Sequence, residues 1–377
     1  MIKRILEIDI KNNLFLGKTI VIYWPRQVGK TTLVKKILDE SDKKTMYYDA
    51  ESLETRRLFV HGEFDRLKSV LNNYEIVVLD EAQKLENIGS LLKLIHDHIP
   101  NLQMIVTGSS SFDLSQGTRE SMLGRVREFF MMPLLITELV NDTDSHEIEN
   151  RLVNLLKYGM YPGIVWGIQK DMERDLLTLA WGMLYKDMLE LENIKKPKAI
   201  LDLLLLLALQ VGSEISYSEL AQKLGMSVHT VQRYIYLLEE SFIVFTLRGF
   251  SRNLRNEIVK SPKIYFYDVG VRNALIENFS WPNIRTDIWA LWENFIIAEL
   301  WKKTKTVKWY GQHFFWRTHN QAEIDYIVEK DWLITAYEIK WWNKLLKHFK
   351  KFEKAYPKSN YILVNRENWL EIVTHNN

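Results

Sequence analysis

The chain contains no cysteine. Disulfide frameworks, thiolate zinc sites and cysteine nucleophiles are therefore excluded together. An excess of either charge is missing too: 50 Lys and Arg stand against 48 Asp and Glu, a net charge of +2. That balance excludes a uniformly basic nucleic-acid binder but leaves room for a local basic face. Long apolar runs are absent as well. The first seven residues hold no apolar core of a secretory signal. The most apolar stretch, residues 199–211, includes Asp202 and falls short of the roughly 20 apolar residues that span a bilayer. A buried helix is expected there, in a cytoplasmic protein without a membrane span; a peripheral membrane partner is the open alternative. What is present is an ordinary globular balance, 47% hydrophobic and 26% charged, over 377 residues. At about 150 residues per domain, that length implies two or three domains. Tryptophan is abundant, 13 in all, and most of it falls between residues 289 and 369.

Residues 19–23 read as a buried β-branched strand. It runs into Trp24-Pro25-Arg26-Gln27-Val28-Gly29-Lys30-Thr31-Thr32 and then into residues 33–38, whose apolar spacing is helical. Strand, loop, Gly-Lys-Thr, helix is the context of a phosphate-binding loop. Pro25, Arg26, Gln27, Val28, Gly29, Lys30, Thr31 and Thr32 are the expected nucleotide contacts. Loop N–H groups and the helix N-terminus would face the phosphates. Lys30 would reach the β- and γ-phosphates, and the Thr31 hydroxyl would hold Mg²⁺. One residue departs from the pattern: Trp24 stands where the first glycine belongs. Its indole either turns into the core or narrows the site.

Two further strands end in chemistry. Residues 76–79 lead to Asp80 and Glu81, where Asp80 would assist Mg²⁺ and Glu81 would polarise the attacking water. Residues 104–106 lead to Thr107, the first choice for a γ-phosphate sensor, with Ser109 next. An intervening strand at residues 45–49 favours the AAA-type branch, with an inserted central strand and a catalytic glutamate, over a small-molecule kinase. Arg119, Arg125 and Arg127 follow. Arg125 is the preferred arginine finger, donated by a neighbouring subunit in a homo-oligomer; the alternative is a solvated surface arginine.

Residues 137–210 read as helical and suit a lid and connector. Residues 216–235 read as a helix-turn-helix. Ser216 and Glu219 form a capping box, Ala221 permits a close crossing and Gly225 makes the turn. Val228, Val231, Ile235 and Leu238 would be buried, leaving His229, Thr230, Gln232 and Arg233 to meet a DNA groove or to serve a structural role.

The last segment carries Glu293 on an amphipathic helix, then Asp325 and Glu338-x-Lys340 on strands. Residues two apart in a strand share a face, so Glu338 and Lys340 point together. Acid, acid and lysine in this order resemble the PD-(D/E)xK nuclease set. Asp325 and Glu338, with Glu293, would hold Mg²⁺, and Lys340 would orient the attacking water. A nuclease-like fold that only binds is the other option. Between residues 301 and 360, 13 Lys and Arg face 6 Asp and Glu, a surface that would attract phosphate.

Along nearly all its length the chain resembles the bacterial and archaeal AAA-type ATPases whose C-terminal half is a domain of unknown function related to these nucleases. The residues carrying the resemblance are 25–32, 79–84, 107–111, 123–125, 260–270, 293–295 and the Asp325…Glu338-x-Lys340 set. One further departure stands at Met160, where many members have a second glycine before Tyr161-Pro162. The resemblance implies binding of ATP and its hydrolysis. The expected fold is α/β: a P-loop AAA-type parallel-sheet ATPase domain at 1–136, a helical lid at 137–205, a winged helix-turn-helix at 206–284 and an α/β nuclease-like domain at 285–377. The expected function is an Mg-ATP-driven module acting on DNA. The rival is a nucleotide-dependent switch that binds a protein partner through an inactive nuclease-like fold.

Overall fold

The structure is a computed structural model and describes residues 2–59, 63–108, 122–165, 167, 171–190, 197–251, 261–306, 311–318, 322–342 and 349–375. Ser109 and Arg119 lie outside these residues. The chain divides into two compact units, Lys3–Met132 and Pro133–Asn377.

In the first unit, β1 (Thr19–Tyr23), β2 (Thr45–Asp49), β3 (Ile76–Asp80), β4 (Gln103–Gly108) and β5 (Val126–Phe130) form one sheet in the order β2-β3-β4-β1-β5. Every pairing is parallel. β1 and β3 are buried along their whole length, as apolar strands covered on both faces must be. The inserted strand is β4, which separates β1 from β3; β2 takes the edge. The loop after β1 and the acids ending β3 thus flank the tip of β4, at the carboxyl ends where open α/β sheets bind ligands.

The second unit begins with helices, among them Ser145–Tyr158, Met172–Glu190 and Pro197–Leu209. The apolar stretch forms the last of these: Leu203, Leu204, Leu207 and Ala208 are buried, while Leu205 and Leu209 reach solvent. Helices Tyr217–Leu224 and Val228–Glu240 follow, capped by Ser216 and Ser227 and joined through Gly225. Val231, Ile235 and Leu238 are buried as expected, whereas Val228, at the helix start, is exposed. The remaining strands are β6 (Val244–Gly249), β7 (Lys263–Phe266), β8 (Gln312–Arg317), β9 (Glu323–Lys330), β10 (Leu333–Ile339) and β11 (Asn360–Val364), in the order β11-β10-β9-β8-β6-β7. Because β6 pairs antiparallel with β7 and parallel with β8, residues 206–284 and 285–377 share one sheet. Among the described residues no helix is long and apolar enough to cross a membrane.

The segment Tyr267-Asp268-Val269-Gly270 explains both its own pattern and the departure at Met160. Asp268 caps helix Val269–Leu275 by accepting from Val271 N, and it accepts from Met160 N at 2.6 Å. Position 160 contributes a backbone donor, which methionine supplies as well as glycine. Gly270 lies against the Tyr158 carbonyl so closely that an added Cβ would overlap it. Asn273 then donates to Leu156 O and Lys157 O, closing the end of helix Ser145–Tyr158. Gly270→Ala should destabilise the protein by roughly 3 kcal/mol, the upper range for overpacking. Urea denaturation measures this, and an unchanged midpoint would mean that the two backbones separate at no cost.

Candidate functional site

The loop after β1 leaves the strand through Trp24-Pro25. Its left-handed positions are Gln27 (φ 62°) and Gly29 (φ 91°), not Trp24. Position 24 therefore makes no demand for glycine. Gly29 caps helix Lys30–Asp39, so Lys30 and Thr31 emerge at the first turn. The Trp24 side chain is 1% exposed and lies in the core, with the Lys30 ammonium 4.5 Å from its ring centroid. Of the two options for this indole, the structure takes the first.

Asp80, at the end of β3, is the hub. Lys30 Nζ lies 2.9 Å from Asp80 Oδ1 and also pairs with Glu81. The Thr107 hydroxyl donates to Asp80 Oδ1 and the Tyr47 hydroxyl to Oδ2. Burial alone would raise the Asp80 pKa; the Lys30 charge and the hydrogen bonds from Thr107, Tyr47 and Lys30 overcome it and hold the carboxyl below its usual range. For Tyr47 the shift is upward, from burial and then from its bond to Asp80. Glu81 is a non-glycine residue in left-handed backbone (φ 52°), which ends β3 abruptly. Its carboxylate meets Lys30 on one oxygen and Gln83 Nε2, at 2.6 Å, on the other.

Lys30, Asp80, Glu81 and Thr107 are thus brought together as the sequence suggests. The structure adds Tyr47, whose hydroxyl donates to Asp80. Its signal was available in the register: Asp49 pairs with Asp80, so Tyr47, two residues earlier, shares that face. Arg125 is not brought to this group. It precedes β5 at the opposite end of the sheet, where its backbone pairs with Thr19 and its side chain with Asp97 at 2.9 Å. The spacing along β1 is about 15 Å. Arg127 bonds Asn13.

A second charged cluster lies in the second unit. Lys340 Nζ is 3.1 Å from Asp325 and 3.4 Å from Glu338. Tyr361 donates to Glu338 at 2.6 Å, and Tyr265 to Glu293 at 2.6 Å. Lys263, which sequence reasoning passed over, is almost wholly buried and lies 3.3 Å from Glu293 and 2.5 Å from Glu323. Burial, and next the Glu293 charge, push the Asp325 carboxyl up to about 7 against the pull of Lys340 and Lys263. Glu293, Asp325, Glu338 and Lys340 are therefore neighbours, but the cations between the acids are lysines. Among the described residues no three acidic, His or Cys groups converge on a point that suits a metal ion. Lys263 stands between Glu293 and Glu323, while Asp325 and Glu338 share Lys340.

Comparison with known proteins agrees with the first unit. Residues 17–140 match the family model described as an AAA domain. With its sheet order, this makes the unit a P-loop domain of the AAA type. Residues 149–281 and 290–376 match two models each described only as a domain of unknown function. An uncharacterized protein of Methanocaldococcus jannaschii is 24% identical over 99% of this chain and 86% of its own length. One from Mycobacterium tuberculosis is 25% identical over 88% of this chain and 72% of its own length. The Walker-type ATPase of Pyrococcus abyssi shares the fold with a TM-score of 0.50 at 17% identity, over 73% of this chain and 96% of that one.

Because the Trp24 ring fills core space, Trp24→Gly should cost about 3–5 kcal/mol of stability rather than open the site. Thermal unfolding and ATP calorimetry on the same variant check this. Tighter ATP binding with unchanged stability would show that the indole obstructs the loop.

Proposed function

We propose that the chain is an Mg²⁺-dependent ATPase of the AAA type whose second unit engages DNA. The observation that carries this reading is the convergence of Lys30, Asp80, Glu81 and Thr107 at the tips of β1, β3 and β4. These residues fit Mg-ATP. Asp80 is a buried carboxylate kept charged, and Thr31 lies beside Lys30 in the first turn of helix Lys30–Asp39. Asp80 and Thr31 would hold the ion, which when bound neutralises phosphate charge. Lys30 would exchange its carboxylate partners for phosphate oxygens. That exchange frees Glu81, whose carboxylate then orients the attacking water and accepts its proton. Arg125 would act only on a neighbouring subunit's site.

For the second unit, the two helices capped by Ser216 and Ser227, with the β6–β7 pair behind them, are read as a winged helix-turn-helix. His229, Gln232, Arg233 and Tyr236 are exposed on helix Val228–Glu240 at the spacing of one stripe, with Thr230 half-buried beside them. That stripe is the proposed DNA face. Hydrolysis is proposed to move it, together with residues 285–377. For the latter, the buried Lys263, which occupies Glu293 and lies outside the nuclease set, supports the second reading, a nuclease-like fold that does not cut and serves a nucleotide-dependent switch with a protein partner.

Glu81→Gln should leave ATP binding intact and lower turnover by roughly 100-fold or more, while Lys30→Ala should abolish binding. Calorimetry paired with phosphate release measures both, and undiminished turnover in Glu81→Gln would overturn the assigned role. DNA incubated with Mg²⁺ or Mn²⁺ should remain intact. Cutting by the wild type that Lys340→Ala loses would instead establish a nuclease.

A further inference from the structure

Arg4 belongs to none of the phosphate-site motifs, yet its side chain is buried. Its guanidinium donates to two carbonyls, from Nη1 to Val28 O at 2.8 Å and from Nη2 to Met132 O at 2.6 Å. Val28 is fully buried within the Gly-Lys-Thr loop. One turn further along, Glu7 pairs with Lys36 at 2.9 Å and with Lys11 at 2.8 Å. Lys36 belongs to helix Lys30–Asp39, the helix that the loop starts. Arg4 and Glu7 therefore grip the loop and its helix from the same side.

The consequence follows from the peptide unit. It is planar and trans, so the Val28 carbonyl and the Gly29 N–H point in opposite directions. Holding the carbonyl on Arg4 aims the Gly29 N–H away from Arg4. If that peptide rotated, the Val28 oxygen would lose its charged donor in a buried place, which backbone acceptors avoid. Gly29 sits in left-handed backbone and lacks a side chain, so it has little else to resist such rotation. Phosphate-binding loops act through N–H groups that share one direction.

We propose that Arg4 is a positioning residue of the nucleotide site: it fixes the Val28–Gly29 peptide so that the Gly29 N–H faces phosphate. Met132 anchors the other arm of the guanidinium and sets its plane. Only a planar fork reaches both carbonyls, so lysine replaces it incompletely. The proposal rests on the ATPase reading above, and the experiment separates the two.

The full chain is titrated with ATP and Mg²⁺ by calorimetry as wild type, Arg4→Ala, Arg4→Lys and Ile10→Ala, with thermal unfolding of each. Ile10 is fully buried on helix Ile5–Asn12, whose N-cap is Arg4, and its truncation lowers stability without removing the Arg4 hydrogen bonds. Arg4→Ala should bind ATP roughly 10- to 100-fold more weakly. Arg4→Lys should fall between it and the wild type, and Ile10→Ala should bind as the wild type does. If Arg4→Ala does not fold, Arg4→Lys decides: a several-fold loss supports the proposal and unchanged affinity overturns it. Equal weakening in Ile10→Ala and Arg4→Ala at matched stability also overturns it, because the effect would then be loss of fold alone. A wild type that binds no ATP sinks the ATPase reading itself.

Discussion

The first unit depends on keeping one carboxylate ionised where water is scarce. Asp80 ends a strand that is buried along its whole length. Taking such a group out of water disfavours its charge, and only close partners restore it. Lys30, Thr107 and Tyr47 do so from three other elements: the helix after the loop, β4 and β2. The geometry of the site follows from this. To satisfy Asp80, the helix must start where Lys30 can reach back, β4 must lie between β1 and β3, and β2 must present Tyr47 in register. The parallel order of the sheet meets all of these conditions together. Removing any one partner leaves a buried charge incompletely paired, which is costlier than never having placed it there.

The second unit meets the same constraint with cations of its own. Lys263 and Lys340 stand among Glu293, Glu323, Asp325 and Glu338, and the phenols of Tyr265 and Tyr361 take further carboxylate oxygens. Here the acids need no divalent ion to tolerate burial. The elevated Asp325 pKa has the same origin, since a proton near neutrality is another way to remove surplus negative charge. In the first unit the lysine has an outlet, because a phosphate can take the place of its carboxylates. Lys263 has acids on two sides and is almost wholly buried, so an incoming anion has no access to it comparable with that at Lys30.

Much of the phosphate site was legible because its residues lie next to strand ends, and strand ends can be read from apolar runs. Lys30, Asp80, Glu81 and Thr107 are such residues. Tyr47 was harder, since its role depends on how β2 registers against β3. Lys263 and Arg4 carried no local sign of their roles: each is one basic residue whose meaning comes from a partner 24 or more positions away. The acid, acid and lysine of the last segment were found correctly as neighbours, but spacing alone cannot say whether a metal or another lysine lies between them. Arg125 precedes β5 at the end of the sheet away from its own phosphate site, so its expected action on a neighbouring subunit is not something one chain's geometry can display.

Trp24 joins these threads. A first glycine in a phosphate loop provides conformational freedom, but here the chain leaves β1 into Pro25, and a residue before proline is confined to extended backbone. The turning is done later, at Gln27 and Gly29. With no left-handed demand at position 24, a large side chain is free to fill the core beneath the loop, and its ring face meets the Lys30 ammonium. The loop is then held from below by Trp24, at the Val28 carbonyl by Arg4 and through its helix by Glu7. A loop restrained at these points loses little further freedom when it closes on an anion, so its N–H groups are aimed before phosphate arrives. On this view the substitution that first looks like damage to a motif moves its function: flexibility in the first glycine is replaced by a scaffold that makes flexibility unnecessary.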